Sequence, residues 1–147
     1  MMASPRDVPE SLGNRYRVLC KIETSGQGVV YKAFDTQLKR DVAIKVLKGD
    51  WTPRNRKRLH SEAMAAASLK HPYICKVLEV VDDGDRAYLV MEFLDGETLA
   101  SVLSRGPLDV ARTVGIGIEV LEGLADAHAH GLVHRDIKPS NVMMTGS

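Results

Sequence analysis

From Tyr16 the chain alternates with a period of two. Tyr16, Val18, Cys20 and Ile22 are interleaved with Arg17, Leu19 and Lys21, the spacing of a strand with one buried face. Val29 to Phe34, rich in β-formers, predicts a second strand, and Asp41 to Leu47 a third. The polar stretches 24–28 and 35–40 are short enough to make the three an antiparallel meander. The period then changes. Pro53 opens a helical stretch in which Leu59, Ala63, Ala66 and Leu69 share one face, and His71-Pro72 stops it. Runs from Ile74 to Val81 and from Arg86 to Phe93 flank Asp82-Asp83-Gly84-Asp85 and predict a hairpin.

Beyond Asp95-Gly96 the pattern is helical. A short helix is predicted from Thr98 to Ser104, ended by Gly106-Pro107. A longer one follows, with Asp109 as N-cap, a stripe of Val110, Val114, Ile118, Leu121 and Ala125, and Gly131 as the stop after His130. Gly115, Gly117 and Gly123 should each weaken it by about 1 kcal/mol. Strands with one helix come first and helices second, so the fold class is α+β. Residues 1–14, with Pro5, Pro9 and Gly13, predict a flexible leader. The expected division is a sheet region at 15–94 and a helical region at 95–147.

Composition narrows the classes. A hydrophobic fraction of 44% supports a core and 27% charge supports solubility. A net charge of +1 gives no bulk attraction to nucleic acid or membrane. No run approaches the ~18–20 apolar residues of a bilayer span, and the first residues lack the apolar core of a signal peptide. Cys20 and Cys75 each lie in an apolar run and are expected to be buried free thiols, which suits a reducing, cytoplasmic compartment.

Several residue sets could carry chemistry. Lys45, at the end of Val42-Ala43-Ile44-Lys45, is a cation on a rigid strand and reads alone as an ordinary exposed strand lysine. Glu62, on the next helix, reads alone as one more solvated glutamate. Glu23-Thr24-Ser25-Gly26-Gln27-Gly28, taken alone, reads as an ordinary hairpin turn. Arg54, Arg56, Lys57, Arg58 and His60 place positive charge at a helix N-terminus, against the dipole. They read as a solvated face, or more weakly as a docking or phosphate-contacting surface. The densest set is His134-Arg135-Asp136-Ile137-Lys138-Pro139-Ser140-Asn141.

That last run resembles the catalytic loop of protein kinases, with five family positions in one stretch: His134, Arg135, Asp136, Lys138 and Asn141. The resemblance extends from about Tyr16 to Met144. Lys138 two places after Asp136 resembles the serine/threonine class, and Tyr16-Arg17-Val18-Leu19 and Gly28-Val29-Val30-Tyr31-Lys32-Ala33 look bacterial. It implies a protein-kinase-like fold, with a five-stranded antiparallel small lobe, one helix, and the first helices of a large lobe. It implies ATP and magnesium as cofactors and a protein Ser/Thr hydroxyl as acceptor. Asp136 would be the base, Lys138 would stabilise phosphoryl charge, Asn141 would hold magnesium, and Lys45 with Glu62 would position the nucleotide. Ile22, Gly26, Gly28, Val30, Ala43, Met91, Glu92 and Leu94 would line the nucleotide site, with Met91 as gatekeeper and Glu92 and Leu94 at the hinge. Arg135 would pair with a phosphate on an activation loop.

Two departures matter. Counting back from Val30, the family's glycines fall at Glu23, Ser25 and Gly28, so only one is kept, and Glu23 places a carboxylate near a polyanion. The Asp-Phe-Gly that carries the second magnesium ligand does not occur in these 147 residues. The expectation is therefore a serine/threonine protein kinase whose present segment is inactive alone. Its uncovered large-lobe surface would favour self-association. A non-catalytic, pseudokinase-like binding module is the alternative.

Overall fold

A computed structural model of the chain describes residues 10–25, 28–47, 52–82 and 87–146. The described residues divide into two units. One runs to Ala67 and includes Lys76–Phe93; the other joins Ser68–Cys75 to the chain from Leu94 onward. The expectations placed on residues 1–9, on Gly26 and on the turn 83–86 lie outside the described residues.

The first unit is an antiparallel sheet with one helix. Its strands are β1 (Ser11–Leu12), β2 (Tyr16–Ser25), β3 (Gly28–Asp35), β4 (Arg40–Leu47), β5 (Val77–Asp82) and β6 (Ala87–Glu92), in the order β1-β2-β3-β4-β6-β5. Five long strands are those the alternation predicts. The two-residue β1 is a correction: Ser11 pairs with Arg17 and Leu12 with Tyr16, and Leu12 is buried. Residues 10–14 are thus not part of a leader, because Leu12 has a core place to fill. One sheet face carries the core, with Tyr16, Tyr31, Ala33, Val42, Ile44, Tyr88 and Val90 joined by Leu12. Helix α1 (Pro53–Ala67) packs against β5, with Ala63 buried and Leu59 half-buried. The β5 strand begins at Val77 rather than Ile74. Ile74 instead closes a turn by donating its N–H to the His71 carbonyl at 3.1 Å.

Cys20 is exposed, against expectation. The cause is a bulge. Val18 pairs with Ala33 but Cys20 pairs with Lys32, so Leu19 is the extra residue and the alternation slips by one. Cys20 then joins the face of Lys32, opposite the core. Cys75 is also exposed, since it lies in the turn region before β5 rather than in a strand.

In the second unit α2 (Leu99–Leu103) is capped by Thr98, whose Oγ1 accepts from the Ser101 N–H. Helix α3 (Val110–Ala129) is capped by Asp109, which accepts from the Arg112 N–H at 2.7 Å. Gly131 takes φ +78°, the left-handed stop. A short 3₁₀ turn (Pro139–Asn141) leads into β8 (Met143–Thr145), which pairs antiparallel with β7 (Gly96–Thr98). This small ribbon was not legible in the pattern. Among the described residues no helix is long and apolar enough to cross a membrane.

Candidate active site

Each unit carries part of the predicted residue set. On the first, strand register assembles one face. Glu23 stands opposite Val30, Val30 opposite Lys45, and Lys45 opposite Leu89. In the next row Lys32 stands opposite Ala43 and Ala43 opposite Met91. Cross-strand partners share a face, and so do residues two apart on a strand. Val30, Ala43, Lys45 and Met91 therefore lie side by side on the sheet face that is not the core. Glu23 stands in the same row as Lys45, so its carboxylate and the lysine cation belong to one surface. Ile22 is the extra residue of a second bulge, between Lys21 and Glu23, and is exposed. Glu92 ends β6; its carboxylate accepts from the Lys76 N–H at 2.8 Å, and its own N–H donates to the Lys76 carbonyl at 2.9 Å.

Glu62 is exposed on α1, and its carboxylate is held by Arg58 one turn earlier, at 3.2 Å. The structure thus gives Glu62 a partner on its own helix rather than Lys45.

The second unit holds the other set. Here the chain leaves α3, turns at Arg135 with φ +70°, and re-enters regular structure at the 3₁₀ turn. A non-glycine residue at such φ is uncommon, and it bends the backbone between His134 and Asp136. The Asp136 N–H donates to His134 Nδ1 at 3.1 Å. Asn141 Nδ2 donates to the Asp136 carbonyl at 2.8 Å and to its Oδ2 at 3.3 Å. Lys138 Nζ lies 3.3 Å from the same Oδ2. One carboxylate, one ammonium and one amide thus converge, and the Asp136 and Lys138 side chains remain solvent-accessible at 35% and 49%. The loop is pinned at its far end, where the Leu99 N–H donates to the Val142 carbonyl at 2.7 Å. Gly96 makes the ribbon beside it possible: a Cβ there would meet the Met144 carbonyl oxygen at 2.1 Å. The glycine was legible as a break but its role was not; a glycine inside a strand marks such close backbone approach.

The conjunction of this loop with the Val42–Lys45 strand identifies the family. A protein kinase domain matches residues 16–147. The chain belongs to the protein kinase family. Named relatives are serine/threonine kinases of bacteria. A probable serine/threonine-protein kinase of Streptomyces coelicolor is 42% identical over 144 residues, which is 93% of this chain and 21% of that protein. The serine/threonine-protein kinase PknA of Mycobacterium tuberculosis is 42% identical over 150 residues, 97% of this chain and 35% of that protein. Among solved structures, the PknI kinase domain of M. tuberculosis superposes with a TM-score of 0.81 at 27% identity, over 94% of this chain and 58% of that one. The chain therefore spans about a fifth to a third of these curated relatives' length. The protein-kinase-like fold expected from the motifs is the fold found.

The donor set fits the family's cofactors. Asn141 spends its amide nitrogen on Asp136, which leaves its oxygen as an acceptor. Magnesium is held by one or two protein oxygens, with phosphates and waters completing the shell. No group of three or more His, Cys, Asp or Glu that could hold a metal ion occurs among the described residues.

Proposed function

We propose that this chain contributes the nucleotide-binding and hydroxyl-activating residues of a serine/threonine protein kinase, with residues 15–94 as small lobe and hinge and 95–147 as the start of the large lobe. ATP supplies the phosphoryl group, and magnesium offsets its charge when both are bound. The chain's own residues do the rest by position and charge, as suits a loose transition state. Val30, Ala43 and Met91 offer an apolar surface for adenine, with the hinge groups of Glu92 and Leu94 at its edge. Lys45 places a cation in the adjoining row, toward phosphate. Asp136 holds or accepts the proton of a protein Ser or Thr hydroxyl. Lys138 carries positive charge to the transferring group, and Asn141 offers its amide oxygen to the metal. The Glu62–Arg58 contact is an exposed i,i+4 pair of the kind worth ~0.3–0.5 kcal/mol, so it does little to oppose a pairing of Glu62 with Lys45. The compartment is cytoplasmic, and no nucleic acid is involved.

The observation that carries this reading is the convergence of Lys138 and Asn141 on Asp136. A second reading, a non-catalytic binding module, draws on Glu23 in the row of Lys45, where a carboxylate opposes a polyanion. The two are separated by phosphoryl transfer. We expect the 147 residues alone, with magnesium-ATP and a protein acceptor, to give no turnover that depends on Asp136, because the Asp-Phe-Gly ligand is not among them. The full-length protein should phosphorylate Ser or Thr and lose that activity in Asp136→Asn. A full-length protein unaffected by that change would overturn the kinase reading in favour of the module.

A further inference from the structure

Lys32 has no part in the chemistry above, although its place in the sheet links the adenine surface to the hinge. It follows Val30 by two positions on β3 and stands opposite Ala43, which stands opposite Met91. Residues two apart on a strand share a face, as do cross-strand partners, so Lys32 lies on the nucleotide face. The cation assigned to phosphate, Lys45, lies in the adjoining row. The Lys32 ammonium is engaged elsewhere. It lies over the Phe93 ring, 4.5 Å from the centroid, and 3.7 Å from Asp41 Oδ2. The Lys32 side chain is 30% exposed, and a cation over a ring gains strength as water is withdrawn from it. Phe93 is the first residue past the sheet. Strand β6 ends at Glu92, opposite Val42, and the Lys76 backbone bonds both the carboxylate and the N–H of Glu92. Phe93 lies beyond that last rung, and its ring is what Lys32 ties back to the sheet.

We propose that Lys32 is a positioning residue for the base. By clasping the Phe93 ring it fixes the backbone groups of Glu92 and Leu94, which flank Phe93 in the chain, and so sets the affinity for adenine without contacting phosphate. The inference deepens the nucleotide-binding reading above and rests on it. The physical ground is preorganisation: a hydrogen-bonding edge that is ordered before the ligand arrives gives up less freedom on binding. Glu92 is ordered by the ladder and by Lys76, and Phe93 is ordered through its side chain. A lysine held between a carboxylate and a ring has its charge already answered, which suits a clasp on the hinge rather than a contact to a polyanion.

The test is calorimetric titration of the 147-residue chain with magnesium-ATP and with magnesium-tripolyphosphate, which has the phosphates but no base. Lys32→Ala should weaken ATP binding about three- to tenfold and leave tripolyphosphate unchanged. Lys32→Gln, which keeps most of the side chain's length and loses the charge, should match Lys32→Ala. Lys32→Arg, which keeps a cation over the ring, should retain the parent's affinity. In a Phe93→Leu background Lys32→Ala should have no further effect, because the two residues act as one unit. Both positions are half-buried rather than in the core, so circular dichroism of the variants should match the parent. Unaltered ATP affinity in Lys32→Ala and Lys32→Gln, equal losses of ATP and tripolyphosphate, or an undiminished effect of Lys32→Ala on Phe93→Leu would each overturn the proposal. A parent chain that binds no ATP would overturn the nucleotide-binding reading and this inference with it. A parent that binds ATP, with Lys32→Ala unchanged, would overturn the inference alone.

Discussion

At the scale of single residues, the best-determined interaction is one the pattern of the sequence did not reveal. Asp35 is fully buried at the end of β3, where Arg15 grips it with two hydrogen bonds of 2.9 and 2.8 Å. The N–H groups of Gln37 and Leu38 also donate to it. Arg15 extends to Glu79 at 3.7 Å, and the Tyr16 hydroxyl donates to the same glutamate. The start of β2 is thereby tied to the β3–β4 turn and to β5. The Arg15 guanidinium, helped by the two backbone donors, lowers the Asp35 carboxyl to about 2, against the opposing effect of burial. A depressed carboxylate stabilises the fold in full above its unfolded pKa of about 4 and loses that contribution as pH falls through its folded value. Urea unfolding should therefore show stability declining by about 1–2 kcal/mol between about pH 4 and pH 2 from this group. Asp35→Asn should be less stable at pH 7 by about 2 kcal/mol and should lose that acid-dependent component. An unchanged acid slope in Asp35→Asn would remove the pair from the account. In sequence, Asp35 looks like any polar turn residue; its partner is twenty positions away, and only the register of β2 on β3 brings Arg15 to it.

At the scale of elements, strands and helices were largely legible because burial follows period. The core faces of β3, β4 and β6 and the caps of α3 follow from alternation and from Asp109 and Gly131. What escaped was set by geometry that period does not encode. The bulge at Leu19 turns Cys20 outward, and the β7–β8 ribbon joins segments more than forty residues apart. The glycines of α3 show the same limit. Read from propensity, Gly115, Gly117 and Gly123 are equivalent. In the structure the first two face open space, whereas a Cβ on buried Gly123 would lie 3.2 Å from the Tyr73 carbonyl oxygen. Gly115→Ala and Gly117→Ala should each stabilise the second unit by up to about 1 kcal/mol. Gly123→Ala should gain less or lose, because the Tyr73–Ile74 turn must shift. Thermal unfolding of the three variants decides it, and equal gains in all three would show that the turn does not rest on the helix.

At the scale of the whole molecule, the two units differ in how well they cover their apolar surface. The sheet of the first has a closed core. Helix α3 leaves Val110, Val114, Ile118 and Leu121 exposed at 80, 54, 51 and 65%, with Val133 and Ile137 exposed as well. A stripe of this kind is more than monomers ordinarily leave in water. The 147 residues should accordingly self-associate with rising concentration in sedimentation velocity, and Val114→Glu/Leu121→Glu should return them to monomer. A parent chain that stays monomeric throughout would show that the stripe is tolerated. The run from His134 to Asn141 was legible as a family motif, since its signature is local. The partner of Glu62 was not, because an exposed glutamate on a basic helix has several cations within reach and the sequence does not rank them.

The central claim is the proposal that Lys45 on the sheet face binds nucleotide phosphate and that Asn141 on the loop binds magnesium. Calorimetric titration of ATP into the chain, with and without magnesium, tests it most directly. The account predicts binding that strengthens with magnesium. Lys45→Ala should weaken it about tenfold or more, as the loss of a charge-assisted contact does. Asn141→Ala should remove the gain from magnesium while leaving the metal-free affinity unchanged. ATP binding that neither substitution alters, or no binding at all, would contradict it.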